Sequence, residues 1–248
     1  MAINLDALFE KKCTCHACGN EFLSKRVRKG AIQSTKRDSD FCTHYKEQRL
    51  NPILYTIYVC PECGYSFSDQ FSTYMPPHVK KRISDNITSK WTRKDYDQIR
   101  GYEEAIATYK LAVYSAILKD EAHAVKAGLY LRLAWLYRFQ DNAEEEQRFL
   151  QLSVSEYEKS FAHSDFVNRD KEMSEARILY LIGELMRRTE RYDKAILYFS
   201  KTIQMKNRTI ETGIISMARE QWSLAREEYK AKKGITEEEL LLNEAQSS

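Results

Sequence analysis

Two short stretches, TCHACGNEF at residues 14–22 and VCPECGYSF at 59–67, share one layout: Cys, two residues, Cys, Gly, two residues, Phe. A Cys-x-x-Cys turn aims two sulfurs at one point, and the Gly after it tolerates the positive φ that such a turn tends to require. Two such turns supply a tetrahedral four-sulfur set. The spacing assigns Cys15, Cys18, Cys60 and Cys63 as the ligands of one structural zinc ion, with Phe22 and Phe67 packed beneath the turns. Four thiolates close the coordination shell and leave no position for water or substrate, so the expected role is a staple and not a catalyst. A redox Cys-x-x-Cys site normally sits in a βαβ context, which this segment lacks, whereas iron is a second metal that sulfur spacing admits.

Other groups nearby can also ligate. Cys13 stands only two residues from Cys15, a poor chelate spacing, and reads as a partly exposed free thiol. Cys42 and His44, in DSDFCTHYK, read as a packed cysteine and a surface histidine, or else as residues beside the ion that orient its ligands or substitute for one of them. A redox or metal sensor using Cys13 or Cys42 is one function these thiols allow. Between the cysteine pairs, segment 23–37 carries Lys25, Arg26, Arg28, Lys29, Lys36 and Arg37 without an acid, and Tyr45, Tyr55, Tyr58 and Tyr65 follow. Basic and aromatic residues together are what single-stranded nucleic-acid binders use for phosphate contact and base stacking. Most charge runs are solvated faces, so nucleic-acid contact stands as an alternative reading.

The 248 residues must position these groups. A formal charge of +3 is small for that length and implies no wholesale electrostatic capture by nucleic acid or membrane. No secretory signal or membrane-length apolar run is evident, which points to a cytoplasmic protein, where cysteines serve better as metal ligands than as disulfides. All six cysteines lie at or before Cys63 and all four prolines at or before Pro77. The early part is expected to be small, loop-rich and β-containing, with strands over EFLSKRV and NPILYTIYV. The 41 residues between the cysteine pairs exceed an ordinary ribbon gap, so an insertion must loop out. Beyond Pro77 the chain is proline-free, and apolar residues recur at helical steps: Ala105, Tyr109, Ala112 and Ala116; Leu129, Leu133 and Leu136; Leu179, Ile182 and Leu185. Trp91 implies that part of the polar stretch 76–95 packs.

YLIGELMRRTERYDKAILYFSKTI, residues 180–203, reads as two helices joined at RTERY. Small Gly183 and Ala195 allow close approach, and Ile182, Met186, Ile196 and Phe199 fill the seam. That is the tetratricopeptide pattern, repeated in part at Ala105, Tyr109 and Ala112 and around Ala134 and Tyr137. The spacings depart from a regular repeat and place an insertion near FAHSDFVNRDKEM. The fold expected is α+β, mainly α: a zinc-ribbon-like region over 1–78, a tetratricopeptide-like antiparallel helical array over 79–232, and a tail over 233–248 with a short helix suggested by Thr236 and Glu239.

The ordered features CHACG, DSDFC, NPILY, VCPECGYSF, YLRLAWLYR and YLIGELMRRTERYDKAI resemble a bacterial family, domain of unknown function 2225. That resemblance implies a metal-binding N-terminal part joined to tetratricopeptide-like helices, and it carries over no activity. Phosphate-loop, HExxH and nucleophile-elbow signatures are absent, so no enzyme is expected. The leading expectation is a cytoplasmic scaffold that takes a protein or peptide partner in a groove drawing on Tyr130, Trp135, Tyr137, Arg138, Arg187 and Arg188, residue types common at binding hot spots.

Overall fold

A computed structural model describes residues 7–166 and 173–234, and the chain forms two compact units, Met1–Phe149 and Leu150–Ser248. The terminal helix expected from Thr236 and Glu239, and residues 167–172 of the FAHSDFVNRDKEM insertion, lie outside the described residues.

The first unit opens with β1 (Leu8–Thr14) paired antiparallel to β2 (Glu21–Val27), Leu8 facing Val27 and Thr14 facing Glu21. β2 coincides with EFLSKRV. Its partner, LFEKKCT, has three charged residues in seven and offers little strand signal by composition. β3 (Ser34–Arg37) and β4 (Thr43–Tyr45) form a second antiparallel pair, with a register shift between Ser34 and Lys36. β5 (Tyr58–Val59) and β6 (Ser66–Phe67) form the third.

The expected strand over NPILYTIYV is confined to its last two residues, β5, and Pro52–Tyr55 form a 3-10 helix instead. Asn51 explains the difference. Its side chain accepts a hydrogen bond from the Ile53 N–H at 3.1 Å, and Pro52 brings the fixed φ suited to a first helical position. The turn buries Ile53, Leu54 and Tyr55 together. Arg100, 2% exposed, then donates to the carbonyls of Leu54 and Ile57 and to Ser24 Oγ, tying this turn to β2.

Helices follow. α1 (Pro77–Asn86) begins at the Pro76-Pro77 pair, because proline is tolerated in a first turn, and buries Val79 and Ile83 four residues apart. α2 (Tyr102–Lys119) is entered through the Glu104 carboxylate, which accepts from the Gly101 N–H at 3.0 Å. Its Ala105, Tyr109, Ala112 and Ala116 face is fully buried, as the periodicity requires. α3 (His123–Arg138) buries Leu129, Leu133 and Leu136. α4 (Ala143–His163) starts where Asn142 Oδ1 accepts from the Glu145 N–H, and Glu144 to Glu146 complement the positive end of its dipole. The division between the units falls within α4.

The second unit continues with α5 (Glu175–Arg188), α6 (Tyr192–Gln204) and α7 (Thr212–Lys233). α5 is capped by Ser174 Oγ accepting from the Arg177 N–H and breaks at Glu190, in the left-handed region at φ 59°. RTERY thus joins two helices as expected. A Cβ at Gly183 would lie 2.9 Å from the Phe199 ring, so only glycine permits this α5–α6 contact without a shift. The architecture is mainly α, with small strand pairs carrying the cysteines ahead of a helical array.

Candidate metal centre

Each Cys-x-x-Cys sits at the tip of a strand pair, the first between β1 and β2, the second between β5 and β6. The two loops are closed by the same backbone bonds. Gly19 N–H donates to Cys15 O and Gly64 N–H to Cys60 O, both at 2.9 Å, while Cys15 N–H reaches Asn20 O and Cys60 N–H reaches Tyr65 O. Gly19 and Gly64 have φ values of 79° and 75°, the conformation for which the glycines were singled out.

These loops bring Cys15, Cys18, Cys60 and Cys63 within 4.8 Å of one another, sulfur to sulfur. Cys15 and Cys63 are 3.5 Å apart and Cys18 and Cys60 3.7 Å. Zinc–sulfur bonds of about 2.3 Å in a tetrahedron set sulfurs about 3.8 Å apart, against about 2.05 Å in a disulfide. The spacing fits an ion at the centre. Hydrogen bonding among the sulfurs pushes the Cys15 thiol up to about 12 through Cys60, raises Cys63 through Cys15, and lowers Cys60 through Cys15. A bound cation would favour thiolates throughout, and its binding would release protons.

Aromatic side chains support the cluster. Phe22 and Phe67 meet edge to face at 6.4 Å, and the His16 ring lies 4.6 Å from Phe67. Trp91 packs where a Gly64 Cβ would be, 2.5 Å from that point, and its Nε1 donates to Pro61 O at 2.8 Å. Thr88 Oγ1 donates to Cys63 O. The segment after α1 therefore braces the second cysteine loop, a role that Trp91 alone hinted at in sequence.

Cys13 differs from the partly exposed thiol expected: it is 6% exposed, because it alternates with Lys12 and Thr14 onto the inner side of β1. Burial pushes its thiol up, which disfavours the thiolate. Cys42 and His44 gather with Asp38, their ligating atoms all within 4.8 Å of one another, on the β3–β4 hairpin.

The basic residues of segment 23–37 are heavily engaged within the chain. Lys25 lies 3.5 Å from Glu10, Arg26 pairs with Asp69 at 2.5 Å, and Lys36 pairs with Asp38 at 2.9 Å. Arg28 and Arg37 lie over the rings of Phe9 and Phe41, while Lys29 opens a short 3-10 turn. The aromatic and arginine residues considered for a groove also have internal partners. Tyr130 and Tyr137 stack on Phe149; Trp135 and Arg138 converge on the buried carboxylate of Asp40; Arg187 and Arg188 converge on buried Glu184. Sequence reasoning missed Asp40 and Glu184, since a buried acid looks like any surface acid until its partners are placed.

Among the described residues, no helix is long and apolar enough to cross a membrane. No curated protein and no solved structure matches the chain. Residues 8–225, from β1 into α7 and including all four clustered cysteines, match the family described as an uncharacterized protein conserved in bacteria. The chain belongs to that family, DUF2225.

Proposed function

We propose that the chain is a non-catalytic interaction protein of the bacterial cytoplasm, in which zinc fixes the first unit and tetratricopeptide-like helices of the second receive a peptide or protein segment. The sulfur spacing supports a single structural zinc held by Cys15, Cys18, Cys60 and Cys63. Four sulfurs of this kind suit a reducing compartment.

The observation that carries the interaction role is the close pairing of α5 and α6 at Gly183 and Phe199, continued by α7. Small-against-aromatic packing of this kind builds the stacked helix pairs whose surfaces bind extended segments. Because Arg187 and Arg188 are held by Glu184, the contact surface draws instead on exposed apolar side chains such as Leu197, Ile210 and Leu224.

Cross-linking the full chain in a bacterial lysate tests this, with Leu197→Glu/Leu224→Glu as control. A protein retained by the wild type and lost by the folded variant supports the reading; no retention, or equal retention by both, counts against it.

A further inference from the structure

We propose that the β3–β4 hairpin binds a second divalent transition-metal ion through the Asp38 carboxylate, the Cys42 thiolate and the His44 imidazole. The backbone sets these three together. Asp38 N–H donates to Cys42 O at 2.8 Å, which places the two residues opposite each other, and His44 follows Cys42 by two positions and so shares its face. Their ligating atoms lie within 4.8 Å of one another.

Cys42 is fully buried, whereas 31% of the His44 side chain remains exposed and gives an ion a way in. His44 Nε2 lies 2.8 Å from Asp38 Oδ2. Bonds of about 2.0 Å from zinc to nitrogen and oxygen set tetrahedral ligands about 3.3 Å apart, so the pair opens by roughly half an ångström as the ion replaces the proton between them. The partly exposed ring can make that movement. Its other constraint is the Phe139 ring, edge to face at 5.3 Å.

The surroundings orient the carboxylate. Arg138 Nη1 donates to Asp38 Oδ2 at 3.0 Å, but the guanidinium is also matched by Asp40 at 2.6 Å and Glu146 at 2.8 Å. Arg138 therefore aims Asp38 while two other acids answer its charge. Lys36, the remaining cation on Asp38, is 70% exposed and free to swing into water. Such outer hydrogen bonds are what fix metal-ligating side chains.

Mixed sulfur, nitrogen and oxygen donors select zinc, cobalt or ferrous iron over calcium or magnesium. Binding breaks the Cys42 S–H bond, forms the metal–thiolate bond and gives that proton to solvent, while the His44 Nε2 proton is exchanged through solvent to Nδ1, which leaves Nε2 to the ion in a neutral ring. Three protein ligands leave one position for water, which separates this centre from the closed four-sulfur one.

The test is dialysis of the full chain against cobalt(II), followed by elemental analysis of all bound metal. The wild type is expected to hold two ions per chain, and His44→Asn and Cys42→Ser one each. His44→Asn changes a partly exposed side chain and decides the matter even where Cys42→Ser misfolds. A wild-type total that His44→Asn does not lower, in folded protein, overturns the proposal. Cys60→Ser addresses the four-sulfur centre separately, and its spectrum in cobalt distinguishes failure of one site from failure of the other.

Discussion

One added methyl group should cost the first unit far more at Gly64 than at Gly19. Both glycines hold a left-handed conformation, at φ 75° and 79°, so an alanine at either meets the same backbone penalty of about 1–2 kcal/mol. The space around them differs. Nothing lies within 4 Å of a Cβ at Gly19, whereas at Gly64 the Trp91 ring is 2.5 Å away. Trp91 cannot retreat without stretching its 2.8 Å bond to Pro61 O. Overpacking of this kind costs about 1–3 kcal/mol, and a lost hydrogen bond about 1 kcal/mol. Gly19→Ala should therefore cost about 1–2 kcal/mol and Gly64→Ala about 3–6 kcal/mol. Urea unfolding of the zinc-loaded chain measures both, and chelator-driven metal loss should be faster for Gly64→Ala. Repeating the pair in a Trp91→Ala background should bring the two costs together. Equal costs with Trp91 present, or a difference that survives its removal, would refute the reasoning.

Two further outcomes follow from charge burial. Glu184 is fully buried beneath Arg187 and Arg188, at 3.0 and 2.7 Å, and Glu184→Gln leaves that charge partly uncompensated, Arg187 keeping Glu228. The loss should be about 3 kcal/mol in the second unit's unfolding, and a change below about 1 kcal/mol would argue against the network. Burial alone would raise the Asp69 carboxyl, but the hydrogen bond from Lys11 and the charge of Arg26 outweigh it and hold the group below its ordinary range. A depressed folded-state pKa stabilises above the unfolded value of about 3.9, and the benefit disappears as pH falls through the folded one. Asp69 is 39% exposed, so the effect is under about 1 kcal/mol; Asp69→Asn should flatten the stability curve below about pH 4, and an unchanged acid slope would contradict the pairing.

Local chemistry was the legible part of this chain. Two identical cysteine loops named the four clustered sulfurs, because a chelating turn is written in five consecutive residues. Three-and-four spacing found the buried faces of α2, α3 and α5, and Gly183 with Phe199 announced a close helix pair. What failed was non-local. NPILYTIYV has strand composition, yet Asn51 and Pro52 start a turn that Arg100 holds from more than forty residues away. The arginines and Trp135 looked available for a groove because the acids that hold them, Asp40 and Glu184, are distant in sequence or ordinary in appearance. The same applies to Asp38, whose link to His44 depends on hairpin register.

Zinc-edge X-ray absorption on the His44→Asn chain tests the four-sulfur centre most directly, since that variant removes the second cluster from the average. Four sulfur neighbours at about 2.3 Å are expected. A shell containing nitrogen or oxygen, or a His44→Asn chain that keeps its zinc when Cys15 and Cys60 are also changed to Ser, would contradict the account.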